Sequence, residues 1–96
     1  MFIIHVTYVK PLEEVDRVLP EHAAFLKEQY RLGRFIASGR LVPRTGGIII
    51  ANYRGKKELL ELLQDDPFCK QGIAAYSILE FSPTMCDPRF QIFVDG

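Results

Sequence analysis

Strand-like and helix-like segments alternate along this chain in the order β-α-β-β-α-β, and this order constrains the fold more than any other feature of the sequence. Phe2 to Val9 is rich in β-branched and aromatic residues and stops before Pro11, which predicts a first strand. The same reasoning predicts further strands over Phe35 to Val42, Ile48 to Tyr53 and Ile73 to Ser82. The second and third of these are joined by a short turn and should form a hairpin.

Two helices are predicted between these strands. Pro20 suits the first turn of a helix, where its missing N–H is not needed, and Gly33 is a natural stop. The preceding residues 12–19 are predicted to be a polar lead-in with room for one helical turn. A second helix is predicted over Gly55 to Leu63, followed by a short extra turn at Asp65 to Phe68. The resulting α+β order matches the ferredoxin-like arrangement, a four-stranded antiparallel sheet with two helices on one face.

The first strand has two different faces. One carries Phe2, Ile4, Val6 and Tyr8 and should pack against the helices, whereas the other carries Ile3, His5, Thr7 and Val9. The second set is mixed, so it should line a wetter surface. A small sheet with such an uncovered face predicts a homo-oligomer, most simply a dimer.

The remaining segment, residues 84–96, exceeds what a β-α-β-β-α-β domain requires. Phe90 to Val94 (FQIFV) is strand-like in composition. We expect it to pair at a sheet edge or with another subunit, since an unpaired apolar strand invites aggregation. The whole chain, 1–96, is then one domain with a core over about residues 2–83.

Composition excludes several classes of protein. Twelve Lys and Arg balance twelve Asp and Glu, so nothing favours binding to nucleic acid. No apolar run approaches the length of a membrane span, and the apolar start of the chain is too short for a signal peptide, so the cytoplasm is the expected compartment. Two cysteines do not make a disulfide framework, and no ligand motif predicts a metal or other cofactor.

Three segments narrow the choice of protein family within this fold. They are Pro20-Glu21-His22, the run from Gly33 to Gly39 (GRFIASG), and the run from Asp65 to Ile73 (DDPFCKQGI). In their order and spacing they resemble the YCII-related family, over about residues 2–83. The resemblance implies a dimeric α/β barrel, in which two four-stranded sheets pack face to face. It also implies a cleft with a His-Asp dyad, whose residues map onto His22 and Asp66.

Most members of that family have no assigned reaction, although some relatives eliminate chloride from chlorinated aromatic intermediates, and muconolactone isomerases share the fold. This chain departs from the family pattern at two positions. Leu19 stands where members often carry arginine, and Arg40 follows the Ser-Gly pair where many carry proline. We therefore expect its handling of anions to differ.

His22 is the candidate catalytic base. In the first turn of a helix, the positive end of the helix dipole disfavours a cation, so a neutral imidazole is expected there, as a base requires. Asp66 could orient the ring and stabilise the imidazolium formed during turnover. Two alternatives remain open: His22 could be a surface residue of that turn, and Asp66 could only cap the turn that begins at Pro67.

Ser38 and Arg40 share one face of the second strand and are candidate substrate contacts, with His5 as a third. The alternatives are that Arg40 forms a salt bridge with a glutamate at the rim of the cleft, and that His5 is an ordinary packing residue. The preferred hypothesis is a cofactor-independent lyase or isomerase acting on a small carbonyl or phenolic compound. The rival hypotheses are a non-catalytic module that binds or senses a small molecule, and a structural subunit of an oligomer.

Overall fold

The structure is a computed structural model, and it describes residues 1–95. The core elements are β1 (Phe2–Tyr8), α1 (Leu12–Arg31), β2 (Phe35–Arg40), β3 (Gly46–Ala51), α2 (Lys56–Leu63), α3 (Pro67–Lys70) and β4 (Ala74–Glu80). A 3-10 turn (Pro88–Phe90) and α4 (Gln91–Asp95) follow them. No helix within residues 1–95 is long and apolar enough to cross a membrane.

The four strands form one sheet in the order β2-β3-β1-β4. Each pair of neighbours is antiparallel, and β1 lies inside the sheet between β3 and β4. Consecutive strands joined by a helix are therefore not neighbours, whereas β2 and β3 form the expected hairpin. The predicted ferredoxin-like β-α-β-β-α-β fold is confirmed.

The two faces of β1 differ as the alternation of its side chains predicts. Phe2 and Ile4 are fully buried, while His5 and Thr7 are exposed on the other face. The buried side packs against the helices through Val15 of α1 and Leu59 of α2. We call the side turned away from these helices the open face; its strand residues include Ile3, His5, Thr7, Ile48, Ile50 and Leu79.

The first helix is longer than predicted, because it begins at Leu12 and not near Pro20. Pro20 lies inside the helix, where a proline costs roughly 3 kcal/mol. Val15 and Val18 are buried one turn apart before it, and burying each such side chain contributes about 1.5–3 kcal/mol. The burial of the first turns therefore outweighs the proline, and the lead-in becomes part of the helix.

The prediction of a strand at Phe90 to Val94 is wrong, since this segment forms the end of the 3-10 turn and α4. Asp87 accepts a hydrogen bond from the backbone N–H of Arg89, and Pro88 occupies the first turn position. An Asp-Pro pair starts a helical turn in this way, and this local signal prevails over the strand-like composition. Contact between this tail and another subunit stays a prediction.

Candidate active site

The two side chains singled out in the sequence meet in the interior. His22 projects from the middle of α1, and Asp66 is the residue that begins α3. His22 Nδ1 lies 2.8 Å from Asp66 Oδ1, although 44 residues separate them along the chain. Asp66 is fully buried, and 8% of His22 is exposed.

The expected reason for an uncharged His22 does not hold, because the residue is not in the first helical turn. It lies about ten residues, roughly three turns, into α1, where the terminal partial charge has faded. What the structure provides is a specific hydrogen-bond partner for one ring nitrogen. The orientation of the ring is therefore decided by a tertiary contact.

Asp66 accepts three hydrogen bonds. The backbone N–H of Phe68 donates to Oδ1 at 3.0 Å, and the Tyr76 hydroxyl donates to Oδ2 at 2.7 Å. With Nδ1 of His22 as the third donor at 2.8 Å, both oxygens of Asp66 accept hydrogen bonds. The tautomer that suits these contacts carries its proton on Nδ1 and its lone pair on Nε2. Asp66 thus caps α3 and contacts His22 with the same oxygen.

Phe68 fixes the plane of the imidazole. The two rings are stacked, with centroids 3.8 Å apart and planes 5° apart, and Phe68 is itself buried. A hydrogen bond at Nδ1 and a stacked face leave the Nε2 edge as the part of the ring available to a ligand. The stacked face and the hydrogen bond thus hold the ring in one orientation.

A cavity of about 170 Å³ adjoins His22. It lies between α1 and the hairpin of β2 and β3, and its walls are mostly apolar, with contributions from Leu19, Ala23 and Ile49. Its polar lining includes Ser38 and Arg40, so the structure brings these two predicted site residues to the same cavity as His22.

The two polar groups on β2 have different surroundings. Ser38 Oγ is hydrogen-bonded to the Tyr30 hydroxyl of α1. Arg40 is exposed and forms no salt bridge with any residue in 1–95, so the alternative of a rim salt bridge is not realised within this part of the chain. Its guanidinium therefore remains available for an anionic or strongly polar substituent.

His5 does not line this cavity, so the structure does not bring this predicted site residue together with His22, Ser38 and Arg40. It lies on the open face of β1, between Ile48 and Ser77 in the register of the neighbouring strands. Because successive side chains of a strand point to opposite faces, a residue between Ile4 and Val6 must face away from the helices. The cavity is on the helix side.

Tyr76 was missed in the sequence, although β4 was recognised. In the register of the sheet it is opposite Val6, so alternation alone would have placed it on the helix side. Burial, together with the negative charge of Asp66 and their hydrogen bond, raises the pKa of Tyr76 far above its ordinary value. The hydroxyl therefore remains a donor at any ordinary pH.

Comparison with known proteins agrees with this architecture. A family model described as the YCII-related domain matches residues 1–82. Among solved structures, the chain is similar to 5-chloro-2-hydroxyhydroquinone dehydrochlorinase from Burkholderia phenoliruptrix in complex with 2,5-dihydroxybenzoquinone. The TM-score is 0.71 at 18% identity, over 84% of this chain and 93% of that chain. At this identity the likeness shows the fold, and no curated protein matches the sequence.

Proposed function

Because this chain belongs to the YCII-related domain family, we propose that it is an enzyme acting on a small molecule, with His22 as general base and Asp66 as its orienting partner. The reaction is a cofactor-independent proton abstraction beside a carbonyl or phenolic group, followed by isomerisation or elimination. The observation that carries this proposal is the 2.8 Å contact between Nδ1 of His22 and the buried Asp66, beside an open cavity.

The geometry supports a simple proton path. Nε2 takes the substrate proton, and the imidazolium that forms is stabilised by the Asp66 carboxylate bound to Nδ1–H. The proton then returns to another atom of the substrate, which is an isomerisation. In an elimination the electron pair expels a leaving group as its anion, and the proton passes from Nε2 to solvent. A positioned base of this kind accelerates a reaction by about 10²- to 10⁴-fold.

The cavity suits a compound with a single ring. Its volume of about 170 Å³ is close to that of an apolar protein cavity of about 150 Å³ that binds benzene. The apolar walls favour the faces of a ring, whereas Arg40 and Ser38 favour a negative or hydroxyl substituent at its edge. The structurally similar dehydrochlorinase binds 2,5-dihydroxybenzoquinone, which is a ring of this size and polarity.

The test uses two probes, 2,5-dihydroxybenzoquinone for binding and 5-chloro-2-hydroxyhydroquinone for release of chloride. We expect the wild-type protein to bind the first and dechlorinate the second. His22→Gln should lower the rate by about 10²-fold or more, because it removes the base and keeps a polar side chain of similar size. His5→Gln is the matched control, since the other histidine lies on the open face, and it should retain the wild-type rate.

Equal rates in wild type and His22→Gln would contradict the role of His22. A protein that binds neither probe would contradict the proposed class of substrate. Binding of 2,5-dihydroxybenzoquinone without turnover of the chlorinated probe or deuterium exchange from solvent would favour the non-catalytic binding or sensing function.

We also propose that the protein works as a homodimer whose two sheets pack through their open faces. Ile48 and Ile50 lie on that face, and Leu79 is 67% exposed there. The strand residues of this face within β1 and β4 include no lysine, arginine, aspartate or glutamate. A face with apolar side chains and without these four residue types in β1 and β4 can match a second copy of itself.

A further inference from the structure

A third polar group reaches the buried carboxylate from a different element. The Tyr76 hydroxyl of β4 lies 2.7 Å from Asp66 Oδ2, while His22 and the N–H of Phe68 both bind Oδ1. Each oxygen of Asp66 therefore has its own donors, supplied by α1, α3 and β4. The carboxylate cannot rotate about its Cβ–Cγ bond without breaking all three hydrogen bonds.

Tyr76 does not reach the cavity wall formed by His22, Ser38 and Arg40. Its ring is half-buried against the core, and only its hydroxyl contacts the His22–Asp66 dyad. Because the pKa of Tyr76 is raised by burial and by the adjacent negative charge, the hydroxyl donates its proton to Asp66 and does not compete with it as an anion.

We propose that Tyr76 is a positioning residue that acts through Asp66: it holds the carboxylate so that Oδ1 faces His22 Nδ1 and keeps the negative charge on Asp66. This inference rests on the proposed function of the dyad. A hydrogen bond to Oδ2 makes the carboxylate a weaker proton acceptor, so the proton stays on Nδ1 of the imidazolium during turnover. The three side chains His22, Asp66 and Tyr76 then act together as one hydrogen-bonded chain.

Tyr76→Phe tests the proposal, because it deletes the hydroxyl and keeps the ring that packs in the core. Tyr53→Phe is the matched control, since Tyr53 is also a half-buried tyrosine packed against the core, and its hydroxyl bonds to no residue in 1–95. Thermal melting of both variants should show that each remains folded.

The primary measurement is made on the free protein, by the ¹⁵N chemical shifts of the histidine ring nitrogens. We expect Tyr76→Phe to change the Nδ1 shift of His22, because the hydrogen bond to Asp66 changes in strength. The shifts of His5 serve as an internal control, and Tyr53→Phe should change neither histidine. An unchanged Nδ1 shift in Tyr76→Phe would overturn the proposal.

The second measurement is the turnover of 5-chloro-2-hydroxyhydroquinone. We expect Tyr76→Phe to lower kcat about tenfold, the effect of one hydrogen bond to a charged group, and to leave KM within about twofold. Loss of kcat without a change at the ring nitrogens would also contradict a role exerted through Asp66. If wild type shows no turnover, the proposed function fails, while the ¹⁵N shifts still decide the role of Tyr76.

Discussion

The side chain of Asp66 makes several contacts at once. It caps α3, receives the Tyr76 hydroxyl and holds the ring of His22, and it is fully buried. Such a group is stable in the interior only because each oxygen has a donor. No buried side-chain nitrogen or oxygen within the described residues lacks a partner, so the removal of Asp66 would create the first of them.

We therefore predict that Asp66→Ala lowers the free energy of unfolding by about 3 kcal/mol, which combines a lost cap with orphaned donors on Phe68 and Tyr76. Its neighbour Asp65 is exposed, and Asp65→Ala should change stability by no more than about 0.5 kcal/mol. Urea unfolding of the two variants measures both values. Similar stability of the two would show that the network around Asp66 contributes little.

At the scale of the elements, the length of α1 matters most for the site. The helix runs over 20 residues, so its buried stripe continues from Val15 and Val18 to His22. Had the helix begun at Pro20, His22 would lie at a frayed end. The additional turns place His22 on a rigid element. Gln71 Nε2 donates to Glu21 Oε2 at 3.0 Å, which ties α1 to the end of α3.

Pro20 is the weak point of this helix, because it lacks the N–H that would bond to the carbonyl of Asp16. The residue is exposed, so a smaller side chain leaves no cavity. We predict that Pro20→Ala raises the free energy of unfolding by about 1–2 kcal/mol, less than the full helix penalty because proline also restricts the unfolded chain. Thermal unfolding followed by circular dichroism measures the change, and a lower melting temperature would contradict the prediction.

At the scale of the whole molecule, the open face is the surface through which we propose that two copies assemble. With 96 residues the chain buries a modest core, and a second copy would cover the apolar side chains that the helices leave exposed. Residues of the helix side form the site, while residues of the open face would form the interface. The two surfaces can therefore be altered separately.

We predict that wild type sediments as a dimer at micromolar concentration and that Leu79→Lys converts it to monomer, because two charges would be buried near each other without partners. Leu60→Lys is the control: Leu60 is 45% exposed on α2, away from the open face, and should leave the dimer intact. A wild-type protein that sediments only as monomer would refute the dimer.

Much of this architecture could be predicted from local patterns in the sequence. The order of strands and helices, and the division of β1 into a buried and an exposed face, follow from side-chain periods of two and about 3.6 residues. The assignment of Asp66 as the start of a turn follows from the Asp-Pro pair. Alternation placed His5 on the face away from the helices, and the same reasoning would have placed Tyr76 on the helix side, although it was not applied to β4.

Other features were decided only by tertiary structure. The sequence by itself determined the order of the core strands and helices and the buried face of β1, because these depend on neighbours within a few positions. Contacts between distant segments decide where α1 starts and that Pro20 lies inside it. They also bring His22, Asp66 and Tyr76 together, and His22 and Asp66 are 44 residues apart along the chain. The preference of a residue for helix or strand is worth tenths of a kcal/mol to a few kcal/mol. Burial of a side chain against a distant element is worth as much, so it can override that preference.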